Sequence, residues 1–324
     1  MIRAGVIGGS GYTGGELIRL LLHHPDVRLD FVFSRTRKGE SLHKTFPDLT
    51  GQTNLTYVDR PDTETDVVFL CLGHGNSGRF LEEWTFGADT RIIDLSNEFR
   101  GVDTRWFGKR EFIYGLPECH LDAISTARNI ANPGCFATAI ELALLPLATA
   151  GLLKEAVHIN AVTGSTGAGA GLSDTSHFSW RNNNMSVYKP FTHQHLAEIR
   201  ETLESKGTAI PDLHFLPNRG NFPRGIFATL YTAYAGSFEQ AVELYTAYYK
   251  DSPFTFVTQE PVNLKQVVNT NTAHLHLHLH ERKLLITSVL DNLLKGASGQ
   301  AVENMNLMFG FPRERGLTLK AIGF

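Results

Sequence analysis

The chain has 324 residues, of which 42% are hydrophobic, and its formal net charge is −3 at pH 7. A chain of this length and composition can bury a large core, and it predicts a globular protein of two domains. Acidic and basic residues are interspersed, with no basic stripe to indicate nucleic acid and no polybasic patch to indicate a membrane surface. The composition therefore favours a small-molecule ligand.

The N-terminus and the cysteines favour a cytoplasmic protein. The first residues enter a strand without a charged and then apolar leader, and no apolar stretch approaches the length that spans a membrane. Cys71, Cys119 and Cys135 are an odd number of cysteines without paired spacing, which fits a reducing compartment better than a disulfide framework. No second Cys or His pair follows Cys119-His120 at ligand spacing, so we expect no metal site.

Strand and helix patterns alternate over the first third of the chain. Apolar runs predict strands over 2–7, 28–33, 66–72 and 91–95, and the stretch 14–24, ended by a proline, predicts a helix after the first strand. This alternation predicts an α/β fold with an open, doubly wound parallel sheet covered by helices on both faces. Cys71, inside one of the apolar runs, is expected in the core.

A glycine-rich turn joins the first strand to the first helix. Its sequence is Gly8-Gly9-Ser10-Gly11-Tyr12-Thr13-Gly14, with Gly8, Gly11 and Gly14 three residues apart. A turn in this position can hold a pyrophosphate on backbone N–H groups and on the positive end of the helix dipole. The turn predicts a dinucleotide site; the alternative is a purely structural glycine turn.

The segment after the second strand favours NADP over NAD. An NAD protein usually presents an acidic residue there to the ribose 2′-hydroxyl, but Asp30 lies earlier, inside the strand. The strand is followed instead by Ser34, Arg35, Arg37 and Lys38, whose hydroxyl and cationic groups can hold a 2′-phosphate. The alternative is that these cations form a solvated loop.

Asn132-Pro133-Gly134-Cys135 is followed at once by an apolar run, which places a thiol where a tight turn opens a helix. The N–H groups and the dipole of a helix N-terminus favour thiolate over thiol, and they can bring a cysteine pKa from about 8.5 into the neutral range. The pattern therefore predicts a nucleophile at Cys135. The alternative is an ordinary buried cysteine at a helix start.

Two further segments of the second half carry candidate catalytic groups. His193 and His195 precede a helix that contains Glu198, and an imidazole within reach of a cysteine can take its proton and later return one. The run 163–171, rich in Gly, Ser and Thr, follows the strand 157–162 and predicts a nest of N–H donors for a phosphate. For the two histidines the alternative is a polar edge of the helix, and for the run 163–171 it is a flexible loop of small residues.

Histidine alternates with apolar residues over 273–280. In an extended strand this places His274, His276, His278 and His280 on one face and the leucines on the other. No Cys, Asp or Glu lies within the run to complete a zinc site, so we interpret it as a structural, half-solvated sheet face. With the strand 225–234, the run predicts a mixed or antiparallel sheet against helices in the second domain.

The chain resembles the N-acyl-γ-glutamyl-phosphate reductase family, whose members act in arginine biosynthesis. This family is related to the aspartate-semialdehyde and glyceraldehyde-phosphate dehydrogenases. The likeness covers nearly the whole length, and its most specific segments, in the family's order, are 8–14, 94–100, 114–118, 132–138 and 291–301.

The resemblance implies roles for particular residues. Cys135 is expected to be the nucleophile, His195 its imidazole partner, and His193 with Glu198 a supporting pair. Besides the glycine turn and the segment after the second strand, further cofactor contacts are expected from His74, Ser96 and Asn292. Substrate contacts are expected from Arg100, Asn132, Ser165, Thr166 and Gly167.

The resemblance also implies the domain organisation. A Rossmann-type NADP-binding domain is expected over 1–134 and 297–324, and an α+β catalytic and oligomerisation domain with a mixed sheet over 135–296. The C-terminal helix, 298–309, is expected to pack back onto the dinucleotide-binding domain. A homodimer or homotetramer through the second domain is expected as well.

Two departures from the family pattern leave the acyl group open. Many members have an arginine between the two histidines where this chain has Gln194, and many carry a basic residue where it has Ala170. The group on the glutamyl nitrogen could therefore be acetyl, succinyl or a carrier-linked amine. Arg100, Arg181, Arg219 and Arg224 are candidate clamps for carboxylate or phosphate, since a guanidinium binds these groups bidentately.

The expected reaction begins with attack of the Cys135 thiolate on a γ-acyl phosphate, which expels phosphate and leaves a thioester. Hydride from NADPH reduces the thioester, and His195 protonates the resulting oxyanion before the semialdehyde leaves. One alternative is an aspartate-semialdehyde-type dehydrogenase with the same chemistry. Another is a noncatalytic NADP-binding sensor in which Cys135 is only redox-reactive.

Overall fold

A computed structural model describes residues 1–73, 75–207 and 209–323. The strands are β1 (Ile2–Ile7), β2 (Val27–Phe33), β3 (Tyr57–Val58), β4 (Val67–Leu70), β5 (Arg91–Asp94), β6 (Trp106–Phe107), β7 (Arg110–Glu111), β8 (Ile113–Tyr114), β9 (Asn129–Ala131), β10 (Val157–Thr163), β11 (Ser186–Val187), β12 (Leu213–Arg219), β13 (Ile226–Ala233), β14 (Thr255–Thr258), β15 (Ala273–His280) and β16 (Lys283–Leu290). The helices are α1 (Tyr12–Leu22), α2 (Leu42–Thr45), α3 (Ser77–Glu83), α4 (Pro117–Thr126), α5 (Cys135–Thr149), α6 (Phe178–Arg181), α7 (His195–Glu204), α8 (Phe238–Tyr249) and α9 (Gly299–Met308).

The chain forms two compact units. The first contains Met1–Pro133 and Ala297–Thr318, and the second contains Gly134–Gly296 and the residues from Leu319 onwards. The predicted first domain included the whole stretch 297–324, whereas 319–323 group with the second unit. The reason is local hydrogen bonding: Ile322 N donates to Val268 O at 3.3 Å, and Asn269 Nδ2 donates to Lys320 O at 2.9 Å.

The first unit is built on a seven-stranded sheet in the order β3-β2-β1-β4-β5-β9-β8, in which every neighbouring pair is parallel. Every residue of β4 is buried, as expected for a strand covered on both faces. The predicted doubly wound fold is confirmed. Helix α1 begins at Tyr12, two residues before the predicted start, because Gly11 occupies the N-cap position in an extended conformation.

The C-terminal helix of the first unit, α9, packs against α1 and α4 as expected. Its polar side chains hold loops of the sheet: Asn304 Nδ2 donates to Gly115 O at 2.9 Å and to Asn132 Oδ1 at 3.1 Å. At its start, Ser298 Oγ donates to Thr13 O at 2.9 Å. The helix therefore anchors both the glycine turn and the segment that leads to Cys135.

The second unit is built on a mixed seven-stranded sheet in the order β11-β12-β10-β13-β16-β15-β14. Helices α5 and α8 pack on one face, and burial alternates along the strands accordingly. In β15, Leu275 and Leu277 are buried while His278 and His280 are exposed, so the predicted half-solvated histidine face is confirmed. Among the described residues, no helix is long and apolar enough to cross a membrane.

Candidate active site

Cys135 is the first residue of α5, as predicted from the Asn-Pro-Gly-Cys turn. Gly134 is the N-cap, with φ −71° and ψ 149°, and the apolar residues that follow are buried along nearly the whole helix. The Cys135 side chain is half-buried. An apolar helix thus carries the sulfur at its N-terminal end, where the helix dipole favours an anion.

His195 and Glu198 pack against this turn from α7. Glu198 Oε2 accepts a hydrogen bond from Gly134 N at 3.0 Å, and Glu198 Oε1 lies 3.8 Å from His195 Nε2. A Cβ atom at position 134 would lie 2.4 Å from His195 Nε2, so only glycine fits. The three predicted catalytic groups, Cys135, His195 and Glu198, are therefore brought together by α5 and α7.

His193 orients this pair from the loop before α7. Its Nδ1 accepts a hydrogen bond from His195 N at 3.2 Å, and its ring makes edge contacts with Phe136 and Phe215 at centroid distances of 5.5 and 5.4 Å. Burial, with a smaller contribution from the charge of Lys189, lowers the pKa of His193 to about 4. His193 is therefore neutral at physiological pH and positions the backbone of His195.

Tyr188 is a member of the site that no sequence pattern indicated. Its ring lies 4.8 Å from the Arg219 guanidinium and 5.7 Å from the His193 ring. Burial raises the pKa of Tyr188, and the negative charge of Cys135 adds to this effect, so the phenol stays neutral. The short strand β11 brings Tyr188 here, because its residues pair with the end of β12 at Asn218 and Arg219.

Arg219 differs from the other candidate clamps. It is half-buried, and its Nε atom is buried without a hydrogen-bond partner in the described part of the chain. Arg181 instead donates to the carbonyls of Thr175 and Arg219 and is buried. Arg224 Nε donates to the buried Asp291 carboxylate at 3.0 Å. Arg181 and Arg224 thus hold protein acceptors, whereas the Arg219 guanidinium lies against the Tyr188 ring.

In the first part of the run 163–171, where a nest of N–H donors is predicted, the N–H groups of 164–167 donate to protein carbonyls. The N–H groups of Gly164, Ser165 and Thr166 donate to the carbonyls of Gly225, Phe222 and Pro223, and Gly167 N donates to Gly164 O. Three of these donors are taken by carbonyls of the segment 222–225 and the fourth by Gly164 O, so the four do not cradle a phosphate. Ser165 keeps a half-buried side chain and Gly167 is exposed.

Asn292 and Thr166 fasten the same loop. Asn292 Oδ1 accepts from Gly225 N at 2.7 Å, and its Nδ2 donates to Thr166 Oγ1 at 3.0 Å. Thr166 Oγ1 in turn donates to Pro223 O at 2.6 Å. Both side chains, predicted to contact cofactor and substrate, thus hold the protein backbone.

A second glycine lies against the cysteine. A Cβ atom at Gly296 would lie 2.9 Å from Cys135 Cβ and 3.2 Å from both Asp291 O and Leu290 Cδ1. Two glycines, 134 and 296, therefore line the backbone around the thiol, and a larger residue at either position would displace it or its partners.

The glycine turn of the first unit has the tight backbone that the motif predicts. Gly8 has φ +77°, and a Cβ there would lie 2.6 Å from Cys71 O. A Cβ at Gly14 would lie 2.7 Å from Gly9 Cα, so the turn closes directly onto the first residues of α1. Ser10 and Thr13 are half-buried and Tyr12 is exposed at the helix N-terminus. At Gly11, the N-cap of α1, a Cβ would meet only Gly8 O, at 3.8 Å, among the described residues.

The cations predicted to hold a 2′-phosphate follow β2 directly. Arg35 pairs with Glu83, and Lys38 Nζ lies 2.7 Å from Asp59 Oδ2; both cationic side chains are more than half exposed. Ser34 is buried, with its N–H bonded to Val58 O. Asp30 lies inside β2 and pairs with Arg28. His74, a predicted cofactor contact, lies outside the described residues.

The motif 94–100 forms a buried polar network in the first unit. Ser77 Oγ and Ser96 Oγ each donate to the Asp94 carboxylate at 2.6 Å, and Ser96 is only 1% exposed. Ser96 thus holds Asp94 and presents little surface to a cofactor. Arg100 Nε donates to Asn132 O at 2.9 Å, which ties the motif to the residues that precede Cys135.

Cys71 follows β4 and is half-buried, so the expected core position is met only in part. Burial, with the nearby charge of Asp94, raises the pKa of this thiol. Cys71 is therefore held as a neutral thiol. Within the described ranges, no group of three or more His, Cys, Asp or Glu side chains could hold a metal ion.

Comparison with known proteins gives two family matches that together span most of the chain. Residues 3–127 match the profile described as semialdehyde dehydrogenase, NAD binding domain, and residues 135–292 match semialdehyde dehydrogenase, dimerisation domain. The chain is 57% identical, over 99% of both chains, to an N-acetyl-gamma-glutamyl-phosphate reductase of Christiangramia forsetii. It is 55% identical, over the full length of both chains, to a protein of the same name from Flavobacterium johnsoniae.

Among solved structures, the chain resembles aspartate semialdehyde dehydrogenase II of Vibrio cholerae with a TM-score of 0.73 and 16% identity, covering 96% of this chain and 99% of that one. An aspartate semialdehyde dehydrogenase of Francisella tularensis aligns with a TM-score of 0.69 at 16% identity, covering 95% of this chain and 100% of that one. These structures have the same fold as this chain. The predicted fold class, a Rossmann-type unit together with a mixed-sheet unit, is therefore confirmed.

Proposed function

Because this chain belongs to the semialdehyde dehydrogenase family, and within it to the N-acetyl-gamma-glutamyl-phosphate reductases, we propose that it reduces N-acetyl-γ-glutamyl phosphate with NADPH. The products are N-acetylglutamate 5-semialdehyde and phosphate, a step of arginine biosynthesis. The observation that carries the proposal is the close packing of His195 and Glu198 against the turn that presents Cys135.

The first unit has the residues that NADP requires. The backbone of the glycine turn, from Gly8 to Gly14, and the N-terminus of α1 would hold the pyrophosphate. Arg35 and Lys38 would hold the 2′-phosphate by exchanging their exposed carboxylate partners for it. Asp30, inside β2, is paired with Arg28 and is not at the strand end where it would repel that phosphate. When bound, NADPH supplies the hydride.

Cys135 performs the covalent step. Its sulfur, as thiolate, attacks the γ-carbonyl carbon; a C–S bond forms, the bond from carbon to the phosphate oxygen breaks, and phosphate leaves with the electron pair. The result is a thioester, which is more readily reduced than a carboxylate. After reduction, His195 protonates the thiohemiacetal oxygen; the proton then returns to His195 as the C=O bond re-forms and the C–S bond breaks, so the aldehyde leaves and the thiolate is restored.

His195 supplies and removes the protons in this scheme. Its Nε2 faces the turn before Cys135, and the Glu198 carboxylate lies 3.8 Å away, on the same helix. Glu198 also accepts a hydrogen bond from Gly134 N. The same carboxylate therefore positions both His195, the proposed acid, and the turn that carries Cys135, the proposed nucleophile. His193, neutral and buried, acts as a positioning residue through the backbone of His195.

Arg219 and Tyr188 form the substrate's anion clamp. The Arg219 Nε is buried without a hydrogen-bond partner in the described part of the chain, and its guanidinium lies 4.8 Å from the centre of the Tyr188 ring. The negative charge of Cys135 contributes to the raised pKa of Tyr188. A guanidinium in this place matches a carboxylate or phosphate of the acyl-phosphate substrate. The second unit also carries the surface through which we expect a homodimer or homotetramer to assemble.

The reverse reaction tests the activity and the acyl group together. Purified protein is given NADP and phosphate with N-acetylglutamate semialdehyde, N-succinylglutamate semialdehyde or aspartate semialdehyde, and NADPH is followed by absorbance. We expect phosphate-dependent reduction of NADP, with the highest kcat/KM for the N-acetyl substrate. A preference for the succinyl compound would reassign the acyl group, and a preference for aspartate semialdehyde would overturn the proposed substrate.

A cysteine variant separates catalysis from cofactor binding. Cys135→Ala should abolish the reverse reaction while its NADP affinity stays within about twofold of that of the original protein, because the glycine turn is untouched. Cys119→Ala, which removes a thiol outside the site, is the matched control and should keep the activity. Phosphate-dependent turnover by Cys135→Ala would sink the thioester mechanism. Absence of turnover by the original protein on all three semialdehydes would favour a noncatalytic sensor.

A further inference from the structure

The second unit contains a cleft of about 920 Å³ that no step of the proposed reaction uses. It is bordered by the residues that follow α5, by the end of β13 with the start of α8, and by the turn between β15 and β16. Cys135 is the first residue of the 15-residue helix α5, and Leu152, in the cleft, lies three residues beyond its end. The length of that helix, about 22 Å, therefore separates the cleft from the thiol.

Three of the side chains that line the cleft are cations without an ion pair. Lys154, Arg282 and Lys283 are exposed, and over residues 1–73, 75–207 and 209–323 no carboxylate lies within ion-pair distance of them. Glu155 is the acidic residue among the described residues of the lining, so positive charge is in excess by two. A cleft with an excess of one sign of charge concentrates ligands of the opposite sign.

The cleft also contains a phenol without a hydrogen-bond partner. Tyr234 lines it and is only 7% exposed, and no described residue forms a hydrogen bond with the Tyr234 hydroxyl. Burial raises the pKa of Tyr234, so the hydroxyl keeps its proton and can donate it in a hydrogen bond. Because buried polar groups of native proteins are nearly always hydrogen-bonded, this hydroxyl indicates a ligand in the cleft.

Gly236 leaves space beside the Tyr234 hydroxyl. A Cβ atom at position 236 would lie 2.7 Å from Tyr234 Oη and 2.9 Å from Gln240 Oε1. Gln240 Oε1 accepts a hydrogen bond from Ser237 N at 2.9 Å, whereas Gln240 Nε2 has no partner in the part of the chain that the structure describes. A phenol donor and an amide donor therefore adjoin a gap that any larger residue at position 236 would fill.

The mixture of groups in the cleft indicates the class of ligand. Several cations together match phosphate groups, which carry more charge than one carboxylate. Glu155 would repel a bare polyphosphate, but it can accept hydrogen bonds from hydroxyl or amino groups. Leu152 and Leu244 supply apolar surface, and the volume lies within the range of small-molecule sites, about 300–1,000 Å³. A nucleoside polyphosphate combines the anionic, hydrogen-donating and apolar parts that these groups match.

We propose that this cleft binds a nucleoside polyphosphate, at a site separate from the proposed NADP site. The three cations bind the phosphate oxygens, and the Tyr234 hydroxyl donates a hydrogen bond to one of them. Glu155 accepts a hydrogen bond from the sugar or the base, which lies against Leu152 and Leu244. The inference goes beyond the proposed function, because reduction of the acyl phosphate requires no second nucleotide.

Equilibrium dialysis with labelled ATP tests the proposal. The protein is saturated with NADP, which fills the cofactor site, and EDTA removes divalent cations. We expect about one ATP to bind per chain, and the double variant Lys154→Ser, Lys283→Ser should raise its Kd at least about tenfold through the loss of charge-assisted hydrogen bonds. Lys250→Ser, Lys265→Ser removes two exposed positive charges of the same unit outside the cleft, and its Kd should change less than about threefold.

Tyr234→Phe distinguishes a built site from general attraction between charges. The variant keeps the aromatic ring and every charge of the cleft, and it removes a hydroxyl that has no partner among the described residues. The free energy of unfolding, measured in urea, should therefore not fall, while the Kd for ATP should rise at least about threefold. An unchanged Kd would show that the hydroxyl does not contact the ligand and would overturn the site as described.

The ligand class has its own controls. Adenosine lacks the phosphates and tripolyphosphate lacks the nucleoside, and each should bind at least about tenfold more weakly than ATP. Tripolyphosphate that binds as tightly as ATP would overturn the nucleoside class. Absence of ATP binding to the NADP-saturated protein, or equal affinity of the original protein and the folded lysine double variant, would overturn the cleft as a site.

The reverse assay keeps this inference separate from the proposed function. The lysine double variant should retain NADP reduction, because the cleft contains none of the groups that act on the substrate. Turnover by a protein that binds no ATP in the cleft would refute the second site and leave the enzyme intact. ATP binding that the double variant abolishes, without turnover of any semialdehyde by the original protein, would support the cleft and refute the proposed reaction.

Discussion

Gly134 and His195 are in direct contact: a Cβ atom at position 134 would lie 2.4 Å from His195 Nε2 and 2.6 Å from its Cε1. Separations below about 3 Å require an atom to move, and here the nearest atoms belong to a buried imidazole rather than to a flexible side chain. A residue larger than glycine at position 134 would therefore have to displace His195.

Replacement of Gly134 by alanine should therefore displace the imidazole. We expect kcat to fall by about 100-fold, because a displacement of about 1 Å in a catalytic group costs this much, while NADP affinity is retained. Steady-state kinetics of the reverse reaction measure the effect. Gly171→Ala, at a position with open space around it, is the matched control and should keep kcat. An alanine variant at 134 with the original kcat would show that the contact does not matter for catalysis.

Glu198 is expected to have two separable effects. Glu198→Gln keeps an oxygen acceptor for Gly134 N but removes the charge beside His195, so kcat should fall about 10- to 100-fold with little loss of stability. Glu198→Ala removes the acceptor too, and the free energy of unfolding should fall by a further 1–3 kcal/mol, roughly the cost of a buried unsatisfied donor. Kinetics and urea unfolding of the two variants distinguish the effects. Equal stability of Gln and Ala variants would contradict the structural role.

Local sequence patterns predicted the elements that depend on local physics. The strand Ile2–Ile7 and the helix that opens at Cys135 follow from apolar runs bounded by glycine and proline. The alternation over 273–280 gave both the strand and its two faces. In each case, the information lies within about ten residues.

The parts of the site that escaped prediction depend on pairing between distant segments. The N–H groups of 164–166 donate to carbonyls at 222–225, far along the chain, so composition alone predicted a nest at positions whose donors the fold already uses. Tyr188 reaches the site because β11 pairs with the end of β12, which no motif encodes. The sequence does not distinguish Arg219 from the other three candidate clamps. The structure does, because Arg100, Arg181 and Arg224 donate to carbonyl or carboxylate groups of the protein.

Arg219 and Tyr188 should control substrate affinity more than turnover. Arg219→Lys keeps the positive charge but loses the planar guanidinium. We expect this variant to raise KM for the semialdehyde, KM for phosphate, or both, by about 10- to 100-fold. Steady-state kinetics with each substrate varied in turn measure the two values. Tyr188→Phe keeps the ring beneath the guanidinium and should have a smaller effect than Tyr188→Leu. Arg282→Lys, at an exposed position, serves as the control. Unchanged KM values for both substrates in Arg219→Lys would exclude the clamp.

The choice of NADP over NAD should depend on Arg35 and Lys38. Their ion pairs lie on the surface and are therefore weak, so both side chains can turn to a phosphate at little cost. In the double variant Arg35→Ala, Lys38→Ala we expect KM for NADP to rise at least about tenfold and KM for NAD to change less than threefold. Arg60→Ala, an exposed cation outside this loop, is the control. An equal effect on both cofactors would contradict a 2′-phosphate contact.

His193 should make the protein sensitive to acid. Burial holds its pKa at about 4, whereas the unfolded chain takes up a proton at this position as the pH falls below about 6.5. The unfolded state then binds more protons than the folded state, so the free energy of unfolding falls as the pH drops from 6.5 towards 4. The loss due to this one group is about 2 kcal/mol at pH 4.5. Urea unfolding at several pH values should show a shallower decline for His193→Gln, by about that amount, and the original decline for His43→Gln, which alters an exposed histidine. Parallel pH curves for His193→Gln and the original protein would mean that His193 is not held neutral by the fold.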